Sequence, residues 1–129
     1  MRDEKRAVQV LFVLAALYDG VLGVFFLFKG PAVFQWCGVT PPNHWGYVQF
    51  PAALLLVFAL MFAAIAVNPV RNGNLIPYGI LLKVSYCGVI LFHWLTTGIP
   101  GMWKPFCLLD LGFLLFFAWA WSVVRKAKV

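Results

Sequence analysis

The sequence predicts an all-α, polytopic membrane protein: a bundle of four transmembrane helices with a short interfacial helix in the first outer loop. Three observations lead there. Of its 129 residues, 64% are hydrophobic and only 11% charged, whereas a soluble domain carries about 25% charged residues. Four apolar runs, at 7–28, 46–67, 75–95 and 102–124, each reach the roughly 20 residues needed to cross about 30 Å of hydrocarbon. Between them lie turn signals rich in Gly, Pro and Asn. The length suits one domain, 1–129.

The first run follows a mixed-charge cap and ends at Lys29-Gly30-Pro31, where glycine and proline stop a helix. It is longer than the ~7 to 15 residue core of a signal peptide and precedes no convincing cleavage site, so it is expected to stay as a helix. Within it Ala15, Asp19 and Gly23 recur at every fourth position, as do Ala16 and Gly20, a small-residue face that admits a neighbouring helix. Asp19 is therefore expected to point into the bundle.

The stretch Pro31-Ala32-Val33-Phe34-Gln35-Trp36-Cys37-Gly38 opens on the proline favoured in a first helical turn and closes on the glycine favoured past a last one. It reads as the interfacial helix. Pro41-Pro42-Asn43-His44 then forces an extended turn. The second run carries no polar side chain from Ala52 to Val67, so its expected role is to pack and to face lipid. Asn68-Pro69-Val70-Arg71-Asn72-Gly73-Asn74 is a turn. The third run tolerates Pro77 in its opening turn, Gly98-Ile99-Pro100-Gly101 is a tight connection, and Pro105 sits early in the fourth run. No proline is expected in mid-helix, which argues against broken, transporter-type helices.

The formal charge of +6 would suit nucleic acid on a soluble face, but here the basic residues flank apolar runs, so no nucleic-acid partner is expected. Arg2, Lys5, Arg6, Arg71, Arg125, Lys126 and Lys128 fall on one side of an alternating bundle, against Lys29 and Lys104 on the other. That asymmetry puts both termini of a multi-pass protein on the cytoplasmic side of the membrane. Trp36, Trp45, Trp94 and Trp103 map to the outer boundary and Trp119 and Trp121 to the inner one, as aromatic belts do.

The third run holds the chemistry. Lys83 sits near its middle, with Tyr86 about 60° and His93 about 80° further round the helix. A charge inside a span is by default a hint of function, and the other runs supply Asp19 and Asp110 as counter-charges. Counting about 1.5 Å per residue from the outer ends, Asp19 lies roughly 13 Å deep, Asp110 roughly 12 Å, Lys83 roughly 21 Å and His93 roughly 6 Å. A lysine stem spans about 6 Å, which brings its ammonium within reach of either aspartate if the helices are adjacent. Each unpaired charge costs about 2.5 to 3.5 kcal/mol at a helix centre, so pairing, hydration or neutralisation has to relieve it.

Two readings of these residues stay open. One is a polar cavity, open toward the outer face, built from Asp19, Lys83, Tyr86, His93 and Asp110 with Tyr18 and Gln49, which would accept a quinone head group, a proton or another small polar moiety, a quinone or a lipid being the cofactor expected if there is one. The other is a buried ion pair that fixes helix register. Cys37, Cys87 and Cys107 are an odd, scattered set with neither a disulfide framework nor metal-ligand spacing, and read as structural. His44 and His93 do not make a persuasive pair of haem ligands. Ser85 lies about 12 Å along the helix axis from His93, which defeats a Ser-His-Asp reading with Asp110.

The Tyr18-Asp19-Gly20 run with Gly23, the Pro41-Pro42-Asn43-His44 loop and the stretch 74–83 resemble the small bacterial four-helix membrane proteins grouped as DoxX-like. The resemblance implies a four-helix fold and a place in a bacterial inner membrane. It further implies either a link to membrane redox systems, including quinone-linked sulfur oxidation, or a role as an accessory or assembly factor. The function expected is thus an accessory or ligand-binding membrane protein, with no catalytic residues and no metal. A quinone-linked redox subunit and a proton or small-solute carrier are the alternatives. Beyond the lipid bilayer, a membrane-protein partner or a second copy is expected, the latter through the small-residue face of the first helix or the apolar second helix.

Overall fold

The computed structural model describes residues 2–128 and is built from four helices: α1 (Arg2–Trp36), α2 (Gly46–Val67), α3 (Ile76–Leu95) and α4 (Trp103–Lys128), with a 3₁₀ turn at Gly73–Leu75 leading into α3. All four are long and apolar enough to cross a membrane. Burial recurs with the helical period. In α1 the buried residues are Val8, Phe12, Ala15, Asp19, Gly23, Phe26, Gly30 and Phe34, and in α3 they are Ile76, Gly79, Lys83, Cys87 and Ile90. Steps of three and four residues keep one face toward the bundle, and Asp19 and Lys83 lie on those faces.

The chain forms two hairpins. α1 packs along α2 and α3 along α4, while the seams between α1 and α4 and between α2 and α3 are thin. The α1–α2 pairing uses the small-residue face. A Cβ added at Gly23 would come within 2.9 Å of the Ala52 carbonyl oxygen and of Leu56 Cδ2, and one at Gly20 would touch Ala59. The small-residue face of α1 is thus occupied from within the chain, not left free for a second copy as expected.

At the end carrying the termini the bundle closes on aromatic rings. Phe12 stacks on Phe117 at 4.8 Å between centroids, and Phe62 meets Phe117 at 5.2 Å. Gly79 makes room for them, since a Cβ there would lie 2.8 Å from Phe62 Cε1. Gln9 Nε2 donates to the Ala66 carbonyl (3.0 Å) and Asn72 Nδ2 to the Ala64 carbonyl (2.7 Å), tying the α2–α3 turn to this end. At the opposite end Phe26, Phe34, Ala52 and Met102 form a second buried cluster with Trp45 and Trp103 around it.

Proline behaves differently from expectation at Pro31. The segment after Pro31 is not a separate helix. It continues α1 through a kink at Lys29 (φ −127°, ψ 25°), because the ring of Pro31 clashes with the carbonyl four residues earlier and bends the helix without ending it. The helix stops only at Gly38 (φ 66°). There Val39 N–H donates to the Phe34 carbonyl (2.9 Å) and Gly38 N–H to the Gln35 carbonyl (3.2 Å), a paired closure that needs a left-handed residue. Pro51 lies within α2, and its missing N–H leaves the Tyr47 carbonyl without an i+4 donor. The helix absorbs this because Pro51 falls in its second turn.

Replacing Gly23 by valine drives a side chain into the α2 backbone and is expected to cost about 1 to 3 kcal/mol. Gly88→Ala, where an added Cβ meets nothing within 4 Å, is expected to be neutral or stabilising. Thermal unfolding of the detergent-solubilised protein separates the two.

Candidate functional site

The centre of the bundle is an ion triad contributed by three helices. Lys83 on α3 places its Nζ 3.1 Å from Asp19 Oδ1 on α1 and 3.0 Å from Asp110 Oδ1 on α4. The ammonium also reaches Asp19 Oδ2 at 3.5 Å. Lys83 and Asp19 are each 1% exposed and Asp110 7%, so water contributes little to their solvation. Two carboxylates take its place for the ammonium. Aromatic rings complete the surroundings, with the Nζ 5.4 Å from the Tyr18 ring centroid, 5.2 Å from Phe113 and 5.8 Å from Phe62, within the range of cation–π attraction.

The triad forms because each member occupies the buried stripe of its helix. Asp19 falls between Ala15 and Gly23 on α1, and the small neighbours keep α2 close without covering the carboxylate. Lys83 sits one turn from Gly79 and one from Cys87 on α3. Asp110 follows Cys107 on the buried face of α4. The paired charges attract strongly at low dielectric, but their desolvation opposes that gain. The geometry therefore specifies helix rotation more than it stabilises the fold.

Next to the triad lies a cavity of about 350 Å³, within the size range of small-molecule sites. Tyr18, Asp19, Leu22 and Phe26 line it from α1, Leu82, Lys83 and Tyr86 from α3, and Trp103, Phe106 and Asp110 from α4. The remaining wall is α2, through Tyr47, Val48, Pro51, Ala52, Leu54, Leu55 and Phe58. The apolar second helix, expected only to pack and to face lipid, thus forms the largest single wall of the cavity. Tyr47 and Leu54 are themselves 70% and 40% exposed, so the cavity reaches the protein surface along the flank of α2.

Five of the seven residues singled out from the sequence meet here: Tyr18, Asp19, Lys83, Tyr86 and Asp110. Tyr86 donates its hydroxyl to the Trp103 carbonyl at 3.1 Å, bracing the first turn of α4 against α3. The Tyr18 hydroxyl is buried and has no hydrogen-bond partner among the described residues. Such an orphan group normally faces a water or a ligand.

The other two residues lie elsewhere. His93 is partly exposed near the end of α3, and its Nδ1 hydrogen-bonds Thr97 Oγ1 at 2.9 Å. Ten residues carry it about 15 Å along the helix from Lys83, and a rotation of about 80° moves it off the buried stripe. Gln49 is exposed on α2, between the cavity-lining Val48 and Pro51. Sequence reasoning missed the aromatic lining, Phe26, Phe58, Trp103 and Phe106. The signal available was their helical spacing with the polar residues: Phe26 seven positions from Asp19, and Phe106 four from Asp110.

Cys87 and Cys107, far apart in the chain, pack in one buried cluster with Ile90, and the Cys87 thiol lies 3.6 Å from the Cys107 carbonyl oxygen. No protein-family model, curated protein or solved structure matches the chain.

Removing the lysine alone leaves two buried carboxylates facing one another. Lys83→Met is expected to destabilise by roughly 3 to 5 kcal/mol. The triple variant Asp19→Asn, Lys83→Met, Asp110→Asn, which leaves no charge at all, is expected to recover most of that loss. Chemical denaturation in a fixed detergent measures both, and a triple variant no more stable than the single one would contradict the account.

Proposed function

We propose that this protein resides in a membrane, with both termini on the cytoplasmic side, and holds one small amphiphilic molecule in the cavity beside the Asp19–Lys83–Asp110 triad. The single observation that carries this reading is the juxtaposition of an apolar cavity with buried charges, lined in part by Tyr18, whose hydroxyl is buried without a hydrogen-bond partner among the described residues. An apolar chamber with a few convergent polar groups is the usual form of a ligand site.

Access is from the side. The cavity reaches the surface beside Tyr47 and Leu54 on α2, and in a bilayer that flank faces acyl chains, so a ligand enters by diffusing within the membrane. The protein then acts by binding or presenting its ligand, in the accessory role that the DoxX-like resemblance implies. A quinone-linked role is the second reading. The Tyr18 hydroxyl would donate a hydrogen bond to a carbonyl head group, and the triad would set the potential around it.

Orientation follows from charge. Arg2, Lys5, Arg6, Arg71 and Arg125 gather at the end of the bundle that carries the termini, which the positive-inside tendency assigns to the cytoplasm of a bacterial inner membrane. A native probe is available, because Cys37 is exposed at the opposite end while Cys87 and Cys107 are buried. A membrane-impermeant maleimide is expected to label intact spheroplasts, and the Cys37→Ser variant is expected to remain unlabelled. Labelling only after lysis would reverse the orientation.

For the ligand, native mass spectrometry of protein extracted in a mild detergent is expected to show a bound small molecule. Ala52→Trp, which fills the cavity from α2, is expected to lose it, while Gln49→Ala keeps it. A wild-type spectrum without adduct, together with an Ala52→Trp variant indistinguishable in function, would remove the reading.

A further inference from the structure

We propose that the ligand of this cavity is a lipophilic organic cation, a molecule with a single delocalised positive charge on an aromatic or alkyl body. The proposal rests on the membrane ligand pocket of the preceding subsection and adds the charge of its occupant.

The first argument is charge balance. The cavity wall carries two carboxylates, Asp19 and Asp110, and Lys83 is the only lysine or arginine among its lining residues. With all three ionised, the site is left with one negative charge in surroundings that solvate it poorly, and a buried charge without a partner is costly. A cationic ligand neutralises it.

The second argument is the way the carboxylates are used. Asp19 gives both oxygens to the ammonium, at 3.1 and 3.5 Å. Asp110 gives Oδ1 at 3.0 Å, and its Oδ2 accepts no hydrogen bond among the described residues. The Asp110 side chain is 10% exposed against 1% for Asp19. The unbalanced charge is therefore open on the Asp110 side, in the cavity wall.

The third argument is the lining. Tyr18, Phe26, Tyr86, Trp103 and Phe106 surround the space, and aromatic faces attract desolvated cations. The bundle already treats a cation this way, since Lys83 Nζ sits between two carboxylates with three rings within 5.8 Å.

Depth decides the source. Asp110 lies seven residues into α4 from Trp103, about 10 Å along the helix axis, below the level of lipid head groups. A lipid amine held at the interface does not reach it, whereas a cation soluble in the membrane interior does.

The test uses the full-length protein in nanodiscs of neutral lipid, with tetraphenylphosphonium as the probe and tetraphenylborate as its anion of matching shape. Saturable one-to-one binding of the phosphonium is expected, weakened about tenfold or more by Asp110→Asn and abolished by Ala52→Trp, with no saturable binding of the borate. Asp110→Asn leaves Lys83 paired with Asp19. Should it fail to fold, Asp19→Asn removes the same net charge and is expected to weaken binding likewise. Equal phosphonium affinity in wild type and carboxylate variants would overturn the charge assignment, and binding untouched by Ala52→Trp would mark partition into lipid and overturn it too. If the borate or a short-chain quinone saturates the cavity and the phosphonium does not, the cation class is wrong while the pocket stands. If none of the three binds and Ala52→Trp changes nothing, the pocket itself is wrong.

Discussion

An ammonium group held away from water has to be surrounded by something that replaces its hydration, and in this chain that requirement fixes the relation of three helices. Lys83 meets it with Asp19 and Asp110 at about hydrogen-bond distance and with rings at the distance of cation–π contact. A rotation of α1 by one residue, about 100°, would turn Asp19 away from the ammonium and bring Tyr18 or Gly20 to its place. Apolar packing alone discriminates poorly among such rotations, because Leu, Val and Phe populate nearly every face of these helices. The ion triad discriminates strongly, since any other register leaves a charge unpaired.

The same requirement explains why the middle of the bundle is not filled. At the end that carries the termini, Phe12, Phe62 and Phe117 close the space, and at the other end Phe26, Phe34 and Trp45 do so. Between these two plugs the charged side chains converge, and α2 offers Pro51, Ala52 and Leu55 there, with its rings Tyr47 and Phe58 on either side of them in the chain. The thin α2–α3 seam leaves that space continuous with the flank of the protein. The cavity is thus a consequence of where the charges are and of which helix lacks them.

Much of this was legible in the residues. Four apolar runs separated by Pro, Gly and Asn define four helices with little ambiguity, because a stretch of that length and composition has few other ways to satisfy its backbone away from water. Asp19 between Ala15 and Gly23 advertised a buried position by its neighbours. Lys83, Tyr86 and Asp110 were legible as exceptions in apolar surroundings. Proline is less legible. Gly30-Pro31 reads as a boundary, although a ring in a first turn is compatible with a bent, continuing helix, and only the packing of Gly30 against Trp45 shows how the chain proceeds past the kink. His93 stands outside the site for a related reason. Helical phase places residues around an axis but does not say how wide the buried sector is, and about 80° was enough to leave it.

The sequence by itself determined the class of architecture, the number of helices and the identity of the charges that must find partners, because those follow from hydrophobic length and from the cost of an isolated charge in an apolar medium. Tertiary structure alone decided that both carboxylates share one lysine, that Gln49 and His93 stand aside, and that the featureless second helix forms the wall of a cavity. Those outcomes depend on how two hairpins lean against each other, a matter of side-chain volume at contacts distant in the chain, which no periodicity within a single helix encodes.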